Sequence, residues 1–387
     1  MHIVEIPSFF PPYGGEFCLE QAGAMQRRGH QVGIVSNVQL SVKRSLPAYF
    51  SLPYGRQWDE REGMPLYYGY QRGVPRVIRF NVHRWVTIVR SMFGQYVARH
   101  GKPDVLHAHC AKWAGYAAML LGREWHIPYV ITEHMPLWNY QEEFGPAPSK
   151  AWQVPLLREA YEQAACVIGV SEELQDALSC YFGRNYRYAF ISNLIDTRFY
   201  HYQPRQRAAG EPFRFVCPAI YTWRKGYDVL LAAMGRMRHS HVELHVAGSG
   251  TDGKAFRHLL DGSTVAGRVT VHGALDKTQM RDLLWRCHAV ALATRGEVQP
   301  LSLLEAMSTG IPYVSTQAVP RCERCEGTRV VPVDDVEAFA AAMDAIVDDS
   351  AVDGKAISEW VKRMASEEIV AAQIESVLQA AVSASAR

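Results

Sequence analysis

Two glutamates in the second half of the chain have the spacing and the setting of a ligand-binding pair. Glu297 and Glu305 are separated by seven residues within the segment 295–307, RGEVQPLSLLEAM. Pro300 suits the first turn of a helix and Gly310 suits its end, so Glu297 is predicted on the preceding loop and Glu305 inside the helix. Carboxylates accept hydrogen bonds from hydroxyl groups, which suits one glutamate to a sugar and the other to a ribose.

The predicted start of this helix is also suited to an anion. The backbone N–H groups of Leu301 and Ser302 have no partner within such a helix, and the helix dipole favours negative charge there. A diphosphate at this position would repel a carboxylate, so the glutamates are expected to bind hydroxyls. The alternative for Glu305, an exposed helix residue, is disfavoured by its apolar neighbours Leu303, Leu304, Ala306 and Met307.

A second candidate for phosphate binding is the segment Trp223-Arg224-Lys225-Gly226, which follows the first predicted strand of the second half. A lysine close to the start of a helix would meet a phosphate as a point charge. Taken alone, the same four residues are also typical of a solvated turn.

Two glycines near the N-terminus form a third candidate. Gly14 and Gly15, in the segment PPYGGE at 11–16, would let the backbone approach a ligand closely at a helix start that favours anions. A Gly-Gly pair is equally typical of a plain tight turn, so the pattern leaves both interpretations open.

Three histidines form a fourth candidate. His107 and His109 stand two positions apart at the end of a predicted strand and therefore point the same way, and His134 follows the next predicted strand. Such a cluster could bind a metal, serve as a base or recognise substrate hydroxyls. No carboxylate or cysteine joins it at the sequence spacing of metal ligands, so a structural or substrate-binding role is favoured and no metal is expected.

Alternating strands and helices must position these segments. The opening predicts a strand at 2–6, a helix at 16–28 that Gly29 ends, and a parallel strand at 30–36. A helix is predicted at 155–163, and further strands at 105–108, 129–132, 166–170, 213–220, 242–247, 269–272, 289–293 and 313–316. This pattern predicts a doubly wound α/β fold, in which ligands bind beyond the carboxyl ends of the strands.

The length of 387 residues indicates two domains, since one domain commonly takes roughly 100 to 200 residues. The polar stretch 201–212 contains two prolines and a glycine and is followed by renewed alternation, so it is predicted to be a linker. The expected division is an N-terminal domain at 1–203, a C-terminal domain at 204–365, and a helix at 366–387 that packs back towards the N-terminal domain.

Composition argues against several classes of protein. The formal net charge of +2 disfavours a general nucleic-acid binder, and the N-terminus lacks the features of a secretory leader. No apolar run approaches the roughly 18 residues of a membrane span, so a cytoplasmic protein is expected. The eight cysteines lack the spacing of a disulfide scaffold, and Cys322 and Cys325 are interpreted as loop thiols rather than a zinc site.

Taken in order, these motifs resemble those of the retaining nucleotide-sugar glycosyltransferases of family 4, over nearly the whole chain. The segments that carry the resemblance are PPYGGE at 11–16, KPDVLHAH at 102–109, VIGVSEEL at 167–174, SNLIDTRF at 192–199, WRKGYDVLL at 223–231, AGSG at 247–250 and GEVQPLSLLEAMSTGIPYVST at 296–316. The resemblance implies the GT-B fold, in which two Rossmann-like doubly wound domains face each other across a cleft. It also implies an acceptor-binding N-terminal domain and a donor-binding C-terminal domain.

The resemblance also assigns roles to the candidate residues. Gly14 and Gly15 would contact the donor diphosphate, and His109 matches the active-site histidine near the sugar. In the C-terminal domain, Lys225 would neutralise the diphosphate, and Glu297 would hold the transferred sugar. The amides of Leu301 and Ser302 would hold the distal phosphate, and Glu305 would bind the ribose hydroxyls.

The chain departs from the family pattern at two places. The family commonly has an arginine five or six residues before the lysine, where this chain has Ile220 and Ala219. Arg224 or Arg295 would have to substitute for it. The usual aromatic-Gly pair after the first glutamate is Gln299-Pro300 here, and proline has no amide to donate, which shifts the phosphate contacts onto the amides that follow.

The resemblance implies transfer of a hexose-type sugar, with retention of configuration, from a nucleoside diphosphate to an acceptor hydroxyl. UDP is favoured over GDP, and neither metal nor cofactor is expected, since the nucleotide sugar is a substrate. In the implied front-face attack the leaving phosphate accepts the proton of the acceptor, while Lys225 and helix amides stabilise the growing charge. Two alternatives are a sugar-nucleotide epimerase, which needs no acceptor, and a non-catalytic sugar-nucleotide binding module.

A basic segment at 72–99 has two interpretations. It holds six arginines and no acid, interleaved with apolar residues that follow helical spacing from Trp85 to Tyr96. One interpretation is a core-facing amphipathic helix with a solvated basic face. The other is a peripheral contact with an anionic membrane surface, where arginines attract lipid and aromatic residues lie at the interface. That contact would bring the protein to a lipid-linked saccharide acceptor, as in cell-envelope polysaccharide or glycolipid synthesis.

Overall fold

The chain forms two compact units in a computed structural model. The first unit comprises residues 1–194 and the chain from Val370 onward, and the second comprises Ile195–Ile369. Pro12 of the PPYGGE segment, Gln206 of the predicted linker and the last two residues of the predicted C-terminal helix lie outside the described residues. The structure describes residues 1–11, 13–41, 46–52, 55–145, 151–205 and 207–385.

The boundary between the units differs from the one expected from the sequence. It lies between Leu194 and Ile195, whereas the polar composition of 201–212 placed it between residues 203 and 204. Ile195 and Tyr200 are buried in the core of the second unit, and the amide of Ile195 bonds to a carbonyl within that unit. Burial of these two side chains therefore assigns the segment before the polar stretch to the second unit.

One twisted sheet organises the described part of the first unit. Its strands are β1 His2–Pro7, β2 Gln31–Leu40, β3 Gly55–Arg61, β4 Met64–Arg72, β5 Val105–His109, β6 Tyr129–Glu133, β7 Cys166–Gly169 and β8 Tyr188–Phe190. They are ordered β3-β4-β2-β1-β5-β6-β7-β8. Neighbours pair in parallel except β3 and β4, which form an antiparallel edge. Strands β1, β5 and β6 are buried along their whole length, as expected for a doubly wound sheet.

Helices connect these strands and supply the buried faces that pack against them. The helices of the first unit are α1 Glu16–Arg27, α2 Leu46–Ser51, α3 Ile78–His100, α4 Tyr116–Trp125, α5 Leu137–Phe144, α6 Gln153–Gln163 and α7 Leu174–Phe182. A short irregular segment, Ala111–Gly115, follows β5 and leads into α4. In no described helix do length and apolar character reach what a membrane crossing requires.

The described part of the second unit contains a parallel sheet of the same style. Its strands are β9 Phe213–Pro218, β10 Val242–Ala247, β11 Val269–Gly273, β12 Ala289–Leu292, β13 Tyr313–Thr316 and β14 Arg329–Val331, in the order β11-β10-β9-β12-β13-β14. Its helices are α8 Tyr227–Arg236, α9 Lys254–Asp261, α10 Lys277–Arg286, α11 Leu301–Ser308, α12 Val336–Asp348 and α13 Gly354–Ala365. Each unit is therefore a Rossmann-like doubly wound domain, and the chain has the GT-B fold.

The last helix, α14 at Glu367–Ser385, completes the first unit. One face of it is apolar and is buried in the hydrophobic core of that unit, through Val370, Ala371, Ile374, Leu378 and Ala381. The polar contacts agree with this placement, because Glu375 of α14 pairs with Arg28 and His30 just after α1. The C-terminal end of the chain is thus held by both apolar packing and ion pairs within one unit.

Candidate active site

Both glycines in the turn between β1 and α1 have a backbone conformation that favours glycine, and one of them also has no room for a side chain. Gly15 caps α1 with a φ of 91°, and a Cβ there would lie 2.2 Å from the carbonyl oxygen of Phe9. Gly14 has a φ of 90°, but a Cβ there would meet no described atom within 4 Å. A residue with a side chain would therefore strain the backbone at either position, and at Gly15 it would also clash with its surroundings.

A buried carboxylate joins the histidine cluster, which the sequence spacing did not reveal. Glu5 of β1 is fully buried, and its Oε2 lies 2.8 Å from His109 Nε2 and 3.0 Å from His107 Nδ1. The other ring nitrogen of His107, Nε2, is 2.7 Å from Thr132 Oγ1. The register explains the meeting, because Glu5 pairs with His107 across parallel strands β1 and β5. The sequence spacing around the histidines could not show this carboxylate, because it comes from a different strand.

The electrostatics of the cluster follow from its burial. Burial alone would raise the pKa of Glu5, but the adjacent His107 and His109 outweigh it and lower the pKa to about 2. Burial lowers the pKa of His109, and the neighbouring His107 lowers it further. At pH 7 the ionised carboxylate of Glu5 therefore accepts a hydrogen bond from His109, whose own pKa is lowered.

The same three side chains offer donor atoms of the kind that a transition metal uses. One donor atom from each of Glu5, His107 and His109 lies within 4.8 Å of the other two. The separation of 2.8 Å between His109 Nε2 and Glu5 Oε2, however, is that of a direct hydrogen bond. His109 and Glu5 are therefore joined by a hydrogen bond, and His107 contacts the same carboxylate oxygen.

Aromatic rings surround His109 on its other side. Phe17, in the first turn of α1, stacks on His134 with ring centroids 3.8 Å apart. Phe17 and His134 each lie 5.9 Å from His109, measured between ring centroids. The structure thus brings together two predicted features, since the first turn after the Gly-Gly pair reaches the histidine cluster.

A second buried carboxylate fixes the loops beside the cluster, and the sequence analysis missed it. Glu133, at the end of β6, accepts hydrogen bonds from the amides of Ala111 and Met135 at 3.0 and 2.7 Å. The hydroxyl groups of Tyr140 and Tyr161 also donate to it. The loops after β5 and β6 are therefore tied to one residue. A charged residue at the end of an apolar strand was the available signal for Glu133.

A cavity of about 330 Å³ opens in the first unit near the carboxyl ends of β1 and β2. Its walls combine aromatic and polar side chains, among them Phe9, Tyr13, Asn81, Trp85, Lys112 and Trp113. Lys112 forms an ion pair with Glu143, which also lines the cavity. Aromatic surfaces with a few polar groups are typical of small-molecule pockets.

In the second unit, the structure joins two of the predicted residues directly. Lys225 Nζ donates to Glu297 Oε1 at 2.7 Å, and Thr294 Oγ1 donates to the same oxygen at 2.8 Å. Both partners of the ion pair are shielded, with side chains 12 % and 8 % exposed. The loops that carry them also touch, because a Cβ on Gly226 would lie 1.8 Å from the carbonyl oxygen of Ala293.

Arg295 was one of two candidates to replace the missing family arginine. Its guanidinium instead bonds both carboxylate oxygens of Asp228, at 3.0 and 2.7 Å, and also Asp334, at 2.7 Å. The same group lies 4.6 Å from the ring centroid of Trp223. These contacts join Arg295 to Asp228 of α8 and to Asp334 and Trp223 on neighbouring loops.

Helix α11 begins where the sequence predicted, with one difference. Pro300 is the N-cap of α11 rather than its first helical residue. The amides of Leu303 and Leu304 donate to its carbonyl at 3.0 and 3.4 Å. The amides of Leu301 and Ser302 therefore precede the intrahelical hydrogen bonds, as expected for an anion site. Glu305 follows on α11 and is half-buried.

Comparison with known proteins places this arrangement in a family. Residues 14–193 match the model of a glycosyl transferase 4-like domain, and residues 212–349 match that of glycosyl transferases group 1. A Bacillus subtilis protein provisionally named as a teichuronic acid biosynthesis glycosyltransferase is 25 % identical over 327 residues, covering 80 % of this chain and 78 % of the relative. Glycogen synthase of Mycobacterium tuberculosis is 27 % identical, over 65 % of this chain and 62 % of its own length.

Solved structures share the fold over the full length. A sucrose-phosphate synthase from Thermosynechococcus elongatus superposes with a TM-score of 0.78 at 18 % identity, covering 99 % of this chain and 100 % of the other. The Anabaena protein HepE, solved in complex with UDP and glucose, gives a TM-score of 0.72 at 18 % identity, covering 98 % and 99 % of the two chains. At this level of identity the likeness extends to the fold alone.

Proposed function

Because this chain belongs to the GT-B glycosyltransferases of family 4, we propose that it transfers a hexose-type sugar from a nucleoside diphosphate to an acceptor hydroxyl with retention of configuration. The observation that carries the proposal is the shielded Lys225–Glu297 ion pair beside the start of α11. Lys225 is a cation suited to phosphate, and Glu297 is a carboxylate suited to hydroxyl groups. The ion pair holds the two side chains at hydrogen-bond distance. UDP is favoured over GDP, in keeping with the UDP and glucose of the HepE complex.

The second unit is the donor-binding domain in this proposal. The amides of Leu301 and Ser302 and the charge of Lys225 bind the diphosphate, with Arg224 as an additional cation. Glu297 then accepts hydrogen bonds from the sugar, and Glu305 from the ribose. When the diphosphate binds Lys225, Glu297 loses its ion pair and becomes available to the sugar. The donor therefore replaces the ion pair when it binds.

The chemistry proposed for this site needs no metal ion. In front-face attack, the bond from the anomeric carbon to phosphate breaks as the acceptor oxygen approaches from the same side. The departing phosphate takes the acceptor proton. Lys225 and the amides of α11 stabilise the negative charge that grows on the diphosphate, a contribution of a few kcal/mol for each donor.

The first unit is proposed to bind the acceptor. Its aromatic and polar cavity of about 330 Å³ has a size suited to a saccharide. His109 lies at the end of β5, where open α/β sheets bind ligands. The amides of the Gly14–Gly15 turn, at the start of α1, offer a place for phosphate oxygens.

Only the first part of the basic segment, residues 74–80, supports the proposal that the acceptor is carried on a lipid. Trp85, Val86, Val89, Met92, Phe93 and Tyr96 are buried, so the core-facing interpretation holds for most of α3. In contrast, an apolar patch of Val74, Val77, Ile78 and Phe80 is 39 to 50 % exposed beside the exposed Arg76 and Arg79. We therefore restrict the proposed contact with an anionic membrane surface, on its cytoplasmic side, to residues 74–80.

The arginines further along α3 have other partners. Arg90 donates to Glu124, and Arg84 donates to the carbonyl of Arg72 at 2.6 Å. These two side chains are therefore not counted as lipid contacts.

Product analysis with a panel of nucleotide sugars tests the proposed function. Each donor is first screened by its effect on the melting temperature, since a ligand at 100 times its Kd stabilises a protein by about 2.7 kcal/mol. The stabilising donors are then incubated with and without polyprenyl diphosphate-linked saccharides. The expected result is sugar transfer with retention of configuration, seen only when the acceptor is present. Donor isomerisation without acceptor would indicate an epimerase, and binding without turnover on any acceptor would indicate a binding module.

A further inference from the structure

The hydrogen bond between Glu5 and His109 determines which nitrogen of His109 is free to contact a ligand. Glu5 is 0 % exposed and His109 is 1 % exposed. Their contact of 2.8 Å uses His109 Nε2. An ionised carboxylate only accepts hydrogen bonds, so His109 Nε2 must carry the proton. In the neutral ring the other nitrogen, Nδ1, then holds a lone pair.

His109 Nδ1 is buried and has no hydrogen-bond partner among the described residues. His134 Nε2 is in the same condition, and Phe17 lies against both rings. A buried polar atom without a partner costs on the order of 1–3 kcal/mol, so two of them side by side need an explanation. The hydroxyl groups of a sugar both donate and accept hydrogen bonds, so they can satisfy atoms of either kind.

We propose that Glu5 is a positioning residue, which locks His109 in the Nε2-protonated tautomer so that Nδ1 accepts a hydrogen bond from a hydroxyl group of the bound sugar substrate. The inference rests on the proposed function for the identity of the ligand. The tautomer itself depends only on the contact between Glu5 and His109 and on the ionised state of Glu5. Phe17, half-buried in the first turn after the Gly-Gly pair, lies 5.9 Å from His109 between ring centroids.

His107 shares the same carboxylate oxygen but has a different task. Its Nε2 contacts Thr132 Oγ1 at 2.7 Å, so both of its ring nitrogens lie beside protein atoms. Mutation of Thr132 to Val removes this contact and leaves Glu5 and His109 in place. The Thr132→Val variant is therefore a matched control for disturbance of the buried cluster.

Nitrogen-15 NMR of the histidine-labelled protein tests the tautomer without any assay of turnover. The signals of His109 are assigned by comparison with His109→Gln. In the wild-type protein and in Thr132→Val, we expect the pattern of a neutral ring with the proton on Nε2. In Glu5→Gln, the neutral side chain no longer dictates the tautomer, and the pattern should move towards a mixture. A wild-type ring with its proton on Nδ1 would overturn the inference.

Titration and kinetics test the second half of the inference. Addition of the saccharide acceptor that supports turnover should shift the His109 Nδ1 signal, and an unchanged signal at saturation would contradict the proposed contact. Glu5→Gln should lower kcat at least about tenfold with the KM for donor nearly unchanged, since a misplaced tautomer affects chemistry more than binding. Glu5→Asp, which keeps the charge, should recover part of this loss. If Thr132→Val lost as much turnover as Glu5→Gln, the role of Glu5 would be structural only.

Failure of this inference can be told apart from failure of the proposed function. If no nucleotide sugar is turned over, the NMR result on the tautomer still stands or falls by itself. If Glu5→Gln does not fold, the wild-type spectrum and the Glu5→Asp variant still decide the tautomer.

Discussion

Lys225 Nζ donates a hydrogen bond to Glu297 Oε1 at 2.7 Å, although the two residues lie on loops that follow different strands, β9 and β12. The pair is largely shielded from water, so neither charge is well solvated if its partner is removed. Proximity of this kind couples the two residues, because a ligand that competes for one of them changes what the other can bind.

Replacement of the two glutamates should affect different kinetic constants. Glu305→Ala should weaken nucleotide binding, because a ribose contact acts in the ground state and the transition state alike. Glu297→Ala should mainly lower kcat, because contacts with the sugar matter more as charge develops at the anomeric centre. Steady-state kinetics and calorimetric binding of the nucleotide measure the two effects. Wild-type kcat and KM in both variants would show that the assigned roles are wrong.

Removal of the lysine should have the larger catalytic effect. Lys225→Ala should lower kcat by about 100-fold or more, as expected when one donor to a developing anion is lost. It should also lower the melting temperature, because Glu297 is left shielded and without its cation. Lys355→Ala, at an exposed position of the same unit, is the matched control and should behave like the wild type. Equal activity of the two variants would exclude Lys225 from the phosphate site.

The sequence predicted most of the fold because buried parallel strands leave a strong apolar signal. The predicted strands at 105–108 and 313–316 correspond to β5 and β13. In contrast, β3 is exposed along nearly its whole length and has no apolar pattern to reveal it. The short strands β8 and β14 are only three residues long, which is too short for periodicity to show.

The site was less predictable, because its contacts join residues that are distant in sequence. Lys225 and Glu297 were both chosen as candidates, but nothing in their spacing indicated an ion pair. Glu5 was missed because a carboxylate inside an apolar strand has no meaning until the register places it beside His107 and His109. Arg295 was a reasonable phosphate ligand by position, and only the structure shows that Asp228 and Asp334 hold it.

Activity should survive a chelator. Lys225 already supplies positive charge at the proposed diphosphate site, so treatment with EDTA followed by desalting should leave kcat within about twofold of the untreated enzyme. The cluster of Glu5, His107 and His109 makes this a meaningful test, since its donor atoms could hold a metal. Turnover assays with and without added Mg²⁺ or Mn²⁺ provide the measurement. Loss of activity with EDTA that either ion restores would contradict a metal-independent mechanism.

The two glycines before α1 should differ in their tolerance of alanine. Both have a φ near 90°, so alanine at either position should cost roughly 1–2 kcal/mol of folding free energy. At Gly15 the methyl group would also collide with the carbonyl oxygen of Phe9, only 2.2 Å away. Gly15→Ala should therefore lower the free energy of unfolding clearly more than Gly14→Ala, as measured by urea denaturation. Equal losses would mean that the loop relaxes freely, which would weaken its role as a fixed ligand-binding turn.

Binding to anionic membranes should depend on the first part of the basic segment and not on its middle. Arg76 and Arg79 are exposed beside the apolar patch, whereas Arg90 pairs with Glu124. Because each basic residue near an anionic surface contributes about 1 kcal/mol, the double change Arg76→Gln with Arg79→Gln should weaken partitioning roughly 30-fold at low salt. Replacement of Val77, Ile78 and Phe80 with serine should weaken it as well, through loss of apolar insertion. Arg90→Gln is the control and should bind like the wild type.

Co-sedimentation with phosphatidylserine vesicles measures these effects, and binding should fade as salt is added. Equal recovery of the wild-type protein in the supernatant with and without anionic vesicles would remove the membrane contact and favour an acceptor that is not carried on lipid.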